Sequence, residues 1–120
     1  MYEEPRFRYT LSLDRPLRTT PTVRCIEFAI SRYGKHHESI AFDPPVNEQQ
    51  AVAAVEAYLS APIDAAHYAR VQGDLSAAYK ALSLDEIQVR LPTRGHCLGG
   101  CTFLEALVRR GATVVIECGS

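Results

Sequence analysis

An α+β fold is what this sequence predicts: a single small domain, an antiparallel or mixed sheet, and two to three helices on one face. Three observations predict it. Apolar residues alternate with polar ones toward both ends of the chain, the period of two that marks half-buried strands. Between them, helical spacing and helix-capping signals occupy the middle third. The chain has 120 residues, 47% of them apolar and 22% charged, which suits one globular domain and argues against disorder. The expected order is β-β-β-α-α-β-β-β, with a short extra helix before strand pattern returns.

The first strand is expected over Arg6–Leu13. There Phe7, Tyr9, Leu11 and Leu13 share one side, and Arg6, Arg8, Thr10 and Ser12 the other. Asp14-Arg15-Pro16 and Thr19-Thr20-Pro21 break it, because proline fixes φ and cannot donate to a ladder. Residues 1–20 therefore read as an N-terminal strand or arm ahead of a core over 22–120, the whole of 1–120 being one domain. Val23–Ile30 is the second strand, with Ile26, Phe28 and Ile30 on one face and Cys25, Glu27 and Ala29 on the other. Tyr33–His37 reads as a turn, and Ser39–Phe42 as a short third strand.

Asn47 with Gln50 three residues on is a capping-box pattern. Val52, Val55 and Leu59 then form one helical stripe, and Pro62 ends it. Asp64 is the expected N-cap of a second helix, with Ile63 placed to staple onto Tyr68 and Val71 continuing the face. Asp74 is expected to recap a short third helix through Leu75, Tyr79 and Leu82. Ile87, Val89 and Leu91 alternate with Gln88 and Arg90, which predicts a strand. Phe103–Arg110 fits a helix or a strand. Ala112–Cys118 is strongly β-prone through Val114, Val115 and Ile116.

Composition excludes several function classes. The net charge of −1 argues against nucleic-acid binding and against anionic membranes. No apolar run approaches the ~20 residues that cross a bilayer, and the first residues lack a signal-peptide core. An intracellular, reducing setting with free thiols is the expectation. Residues 1–35 carry seven basic and four acidic groups and the remainder six and ten, a mild dipole that reads as a solvated face.

The most informative stretch is Thr93-Arg94-Gly95-His96-Cys97-Leu98-Gly99-Gly100-Cys101-Thr102-Phe103-Leu104-Glu105-Ala106-Leu107. Together with Asn47–Leu59, Pro62-Ile63-Asp64 and the closing Gly119-Ser120, it resembles a small uncharacterised domain family of giant DNA viruses of amoebae and of fungi. The resemblance runs from about Val23 to Ser120. It departs at His96, commonly an aspartate in the family, and at Ala106, commonly a glycine. It implies a viral or fungal origin, a non-enzymatic or unknown role, and a hairpin rather than a helix over Phe103–Cys118. No catalytic residue carries over from it.

Four site readings compete. His96, Cys97, Cys101 and Cys118 are soft ligands of the kind zinc takes, but only Cys97 and Cys101 have ligand-pair spacing and no second pair exists. Cys101, with His67 (or His36 or His37) as base, is the candidate for a thiol-dependent hydrolase, which would need a helix N-terminus or a nearby imidazolium to lower its pKa. Gly95, Gly99, Gly100 and Gly111 read as turn residues, not a phosphate nest, since no phosphate-loop motif is present. Arg6, Arg8, Arg90 and Arg94 are the binding candidates, an arginine-lined sheet face for an acidic partner. Tyr58, Tyr68 and Tyr79 read as core edges. The function expected is a protein-interaction or assembly module that binds a protein partner or itself, without a cofactor. A zinc-stabilised module is the alternative.

Overall fold

Four strands and four helices carry the chain in the computed structural model, which describes residues 16–31, 36–99 and 103–119, and the side chains of all these except 103–105 and 118–119. The strand expected over Arg6–Leu13 lies outside the described residues. β1 (Val23–Ala29) and β2 (His37–Val46) pair antiparallel. α1 (Glu48–Ser60), α2 (Ala65–Val71), α3 (Ala77–Lys80) and α4 (Leu84–Arg90) follow. β3 (Phe103–Arg110) and β4 (Thr113–Gly119) close the chain as a hairpin. The sheet order is β2-β1-β4-β3, with β1 and β4 parallel, so the sheet is mixed and the fold is α+β.

One face of the sheet is the core. Ile26 and Phe28 on β1 align with Val114 and Ile116 on β4, and all four are at most 3% exposed. Their neighbours in sequence point the other way, Glu27 and Glu117 into solvent. α1 packs on β1 and β2 through Ala51, Val52, Val55 and Leu59. Its N-terminus carries the expected capping box, Asn47 Oδ1 accepting from Gln50 N–H at 2.7 Å and Gln50 Oε1 from Asn47 N–H at 3.0 Å. Residues 16–20 are tied to the same end: Arg18 N–H donates to Glu48 Oε1 at 2.9 Å, and Leu17 packs on the core.

The segment expected as a strand over Ile87–Leu91 is helix α4 instead. Ser83 and Glu86 form a second capping box that starts a helix. The alternation misleads because Ile87 and Leu91, four apart, also share a helical face. Ile87 is buried and Leu91 partly so, while Val89 stands 81% exposed. Arg90 accordingly lies on a helix, not on the polar side of a strand.

Asp74 does not cap the third helix. It ends a 3-10 turn, Gln72–Asp74, and α3 begins after Ser76. The hairpin reading of the C-terminal segment holds. Gly111 adopts φ +63°, and no other described residue of that turn has positive φ, the pattern of a type II′ turn with glycine first.

Candidate functional site

The polar groups brought together by the fold sit where β2, α1, α2 and the 3-10 helix Arg94–Leu98 meet. Tyr58 is at the centre. Its ring meets Phe28 edge-on, centroids 5.2 Å apart. Its hydroxyl donates to Glu38 Oε2 at 3.3 Å and lies 3.3 Å from His67 Nδ1. With the one hydroxyl proton given to Glu38, the network assigns the proton of neutral His67 to Nδ1. The lone pair on Nε2 then faces no partner among the described residues, in a side chain only 3% exposed.

Two ion pairs flank this chain of bonds. Arg70 Nη1 donates to Glu38 Oε2 and Nη2 to the His37 carbonyl. Arg94 Nη2 donates to Asp64 Oδ2 at 2.7 Å, and its guanidinium lies 4.2 Å over the Tyr58 ring. Asp64 is also the N-cap of α2, its Oδ1 accepting from His67 N–H at 2.7 Å.

The pKa shifts follow this arrangement. Burial pushes His67 down to about 4, and the guanidiniums of Arg94 and Arg70 add to it against the pull of Asp64 and Glu38. Burial works to raise Glu38, but the Ser39 N–H, Arg70 and Tyr58 outweigh it and hold the carboxyl below its ordinary value. The His67 N–H, then Arg94, lowers Asp64. Two carboxylates and two guanidiniums cancel, so the cluster acts as a clasp between elements and exposes no excess charge.

A cavity of about 380 Å³ lies beyond α2, between α3 and the 3-10 helix Arg94–Leu98. Asp74, Tyr79, Lys80, His96 and Cys97 are in its lining. Asp74 Oδ2 accepts from Ser31 Oγ at 2.8 Å and lies 3.5 Å from His36 Nε2. His96 Nδ1 accepts from Thr93 N–H at 3.2 Å, which closes a capping box on the 3-10 helix.

Cys97 is 5% exposed, and burial pushes its thiol up to about 11, so it stays protonated and behaves as a small core residue. Native iodoacetamide labelling at neutral pH will therefore modify the half-buried Cys25 well before Cys97, with Cys97 reacting only once denaturant is added; peptide mass mapping reads the order. Cys101 and Gly100 lie outside the described residues, as does the side chain of Cys118. Among the described residues, no three His, Cys, Asp or Glu side chains converge as a metal site. His67, the expected base, is locked onto Tyr58.

Gly95 is buried inside the 3-10 helix, while Gly99 takes φ +61° where that helix ends, a conformation glycine adopts without strain. Among the described residues, Arg90 and Arg94 do not lie on a sheet face. Arg90 belongs to α4, Arg94 to the clasp, and Arg6 and Arg8 lie outside the described residues.

Sequence reasoning missed Glu38, Tyr58 and His67 as a unit. A signal was present: Ile63, His67 and Val71 are spaced by four, so His67 sits in the buried stripe of α2. Ile63 and Val71 are each at most 1% exposed.

The opposite face of the sheet carries small and apolar residues interspersed with Glu27 on β1, Glu117 on β4 and Arg110 on β3. Val115 aligns with Val108 on β3 and with Glu27 on β1, and Ala106 with Glu117. Among the described residues β3 has no strand on its outer side. No protein-family model, curated protein or solved structure matches this chain. None of the helices among the described residues is long and apolar enough to cross a membrane.

Proposed function

We propose that this chain is a non-enzymatic protein-interaction or assembly module, which receives an extended strand along the outer edge of β3. The observation that carries the reading is the difference between the two sheet edges. β2 ends in Pro44-Pro45, which have no N–H to offer a ladder. β3 has no proline and, among the described residues, no neighbour. An added strand would gain main-chain hydrogen bonds there, with side chains on alternate faces giving selectivity. The clasp around Tyr58 supports a binding role by fixing the helices on the far face, leaving the sheet a rigid platform. An origin among giant viruses or fungi belongs to the same proposal and rests on the resemblance over about Val23–Ser120, and a role inside the cell on the first residues' lack of a signal-peptide core.

A photo-cross-linking residue at Val108, compared with one at exposed Gln49 on α1, tests it in cells that produce the protein. The expected result is a defined adduct with a second polypeptide at 108 and none at 49. Absence of any adduct at 108, or equal adducts at both positions, overturns the reading.

A further inference from the structure

We infer that the strand received by β3 is the β3 of a second copy, paired antiparallel about a two-fold axis at Val108, so that two four-stranded sheets become one. This rests on the proposed use of the β3 edge and names its occupant. Register is the first argument. A bulge between Leu104 and Ala106 interrupts the ladder, and Ala106–Arg110 is the stretch in unbroken register with β4. A bulge bends and twists an edge, so pairing beyond it is disfavoured. Val108 is the middle of the remaining run.

Charge is the second argument. An axis at Val108 sets Val108 against its own copy, Leu107 against Arg109 of the second copy, and Ala106 against Arg110 of the second copy. An axis at Arg109 would face two guanidiniums across the strands, which is destabilising. An axis at Leu107 would run the pairing into the bulge. With Val108 central, Arg110 of the second copy stands beside Ala106, whose row continues to Glu117 on β4. Strands lie about 4.8 Å apart, so this arginine and Glu117 are about 10 Å apart at Cα with only a methyl group between them, within reach of both side chains. Symmetry makes the pair twice.

Both residues are exposed, and neither is ion-paired among the described residues. The partly exposed Val108 and Val115 would form a continuous apolar row across the joint, four valines wide. A net charge of −1 on each copy offers little long-range opposition.

Two measurements test this. Opposed residues of an antiparallel pair have Cα atoms about 4.5–5.5 Å apart, within disulfide range. Oxidised Val108→Cys should give a dimer linked Cys-to-Cys at position 108 by peptide mapping, whereas Arg110→Cys should not link to itself. In sedimentation equilibrium, Arg110→Glu and Glu117→Arg should each weaken the dimer about tenfold, while at concentrations where every variant is monomeric their melting temperatures should match that of the unsubstituted chain. The double charge swap should restore it. A monomer at high concentration with no link at position 108, or a double swap as weak as the singles, overturns the inference. If Val108 then still cross-links a different polypeptide, the second copy is excluded but the interaction role of β3 stands. If it cross-links nothing, both fall.

Discussion

Acidification from pH 7 to pH 4 will weaken the fold by about 3 kcal/mol through His67 alone, with about 2 kcal/mol of that already lost at pH 5. The folded-state pKa is about 4 against an ordinary value of 6.5. Between those values the unfolded chain binds a proton that the folded chain refuses, so stability falls as pH falls through this window. Above about pH 6.5 neither state is protonated and the contribution is flat; below about pH 4 both are, and it is flat again.

The physical cause is local. A proton on Nε2 would be an unpartnered, charged donor in a side chain 3% exposed, with the Arg70 and Arg94 guanidiniums nearby. Glu38 and Asp64, both with lowered pKa, contribute stability above their ordinary values of 4.5 and 3.8 and lose it below them. Their loss therefore starts where that of His67 is ending. Urea titrations at half-unit steps between pH 7 and 4.5 will resolve the slope, and His67→Phe should flatten it. A His67→Phe protein that keeps the wild-type slope would place the titrating group elsewhere.

Phe28→Ala will cost about 3–5 kcal/mol, the range for emptying an aromatic site in a closed core. Phe28 is 1% exposed at the middle of the sheet's buried face. Its ring also supports the Tyr58 ring edge-on. The substitution therefore opens a cavity and frees the hydroxyl that joins Glu38 to His67. Against a total stability on the order of 5–15 kcal/mol, this should leave a measurable unfolded fraction at 37 °C. The expected urea result is a large drop in midpoint at unchanged slope, together with a shallower acid dependence because His67 gains room and water. Tyr58→Phe keeps the ring and should cost less, about 1–3 kcal/mol, as Glu38 and His67 lose a partner. A loss below about 1 kcal/mol for Phe28→Ala would mean that the helices do not bear on that ring.

What could be read from the sequence was local chemistry. Asn47 with Gln50, and Asp64, announced two helix starts, because a cap needs only a side chain within three residues of the N–H it serves. The alternation of Val23–Ala29 named its buried face correctly, because side-chain direction in a strand is fixed by parity. The same rule failed at Ile87–Leu91. Residues two and four apart satisfy a strand, while those four apart also satisfy a helix, and the Ser83–Glu86 box decided between them. The clasp was legible only in part: His67 stands in the apolar stripe of α2, but nothing local ties it to Glu38, which is 29 positions earlier in the chain.

The sequence by itself determined the α+β class, the buried face of β1 and two of the helix caps, each from periodicity or from contacts within a few residues, while the choice of a hairpin over a helix at Gly111 came with the structure. Only the tertiary structure decided that β1 and β4 run parallel and that β3 lies at the edge of the sheet among the described residues. It also decided that Arg94 serves Tyr58 and Asp64 and not a sheet face, and that Cys97 is a core residue. Those outcomes depend on which distant segments lose water together, and desolvation is a property of the assembled fold and not of any segment of its sequence.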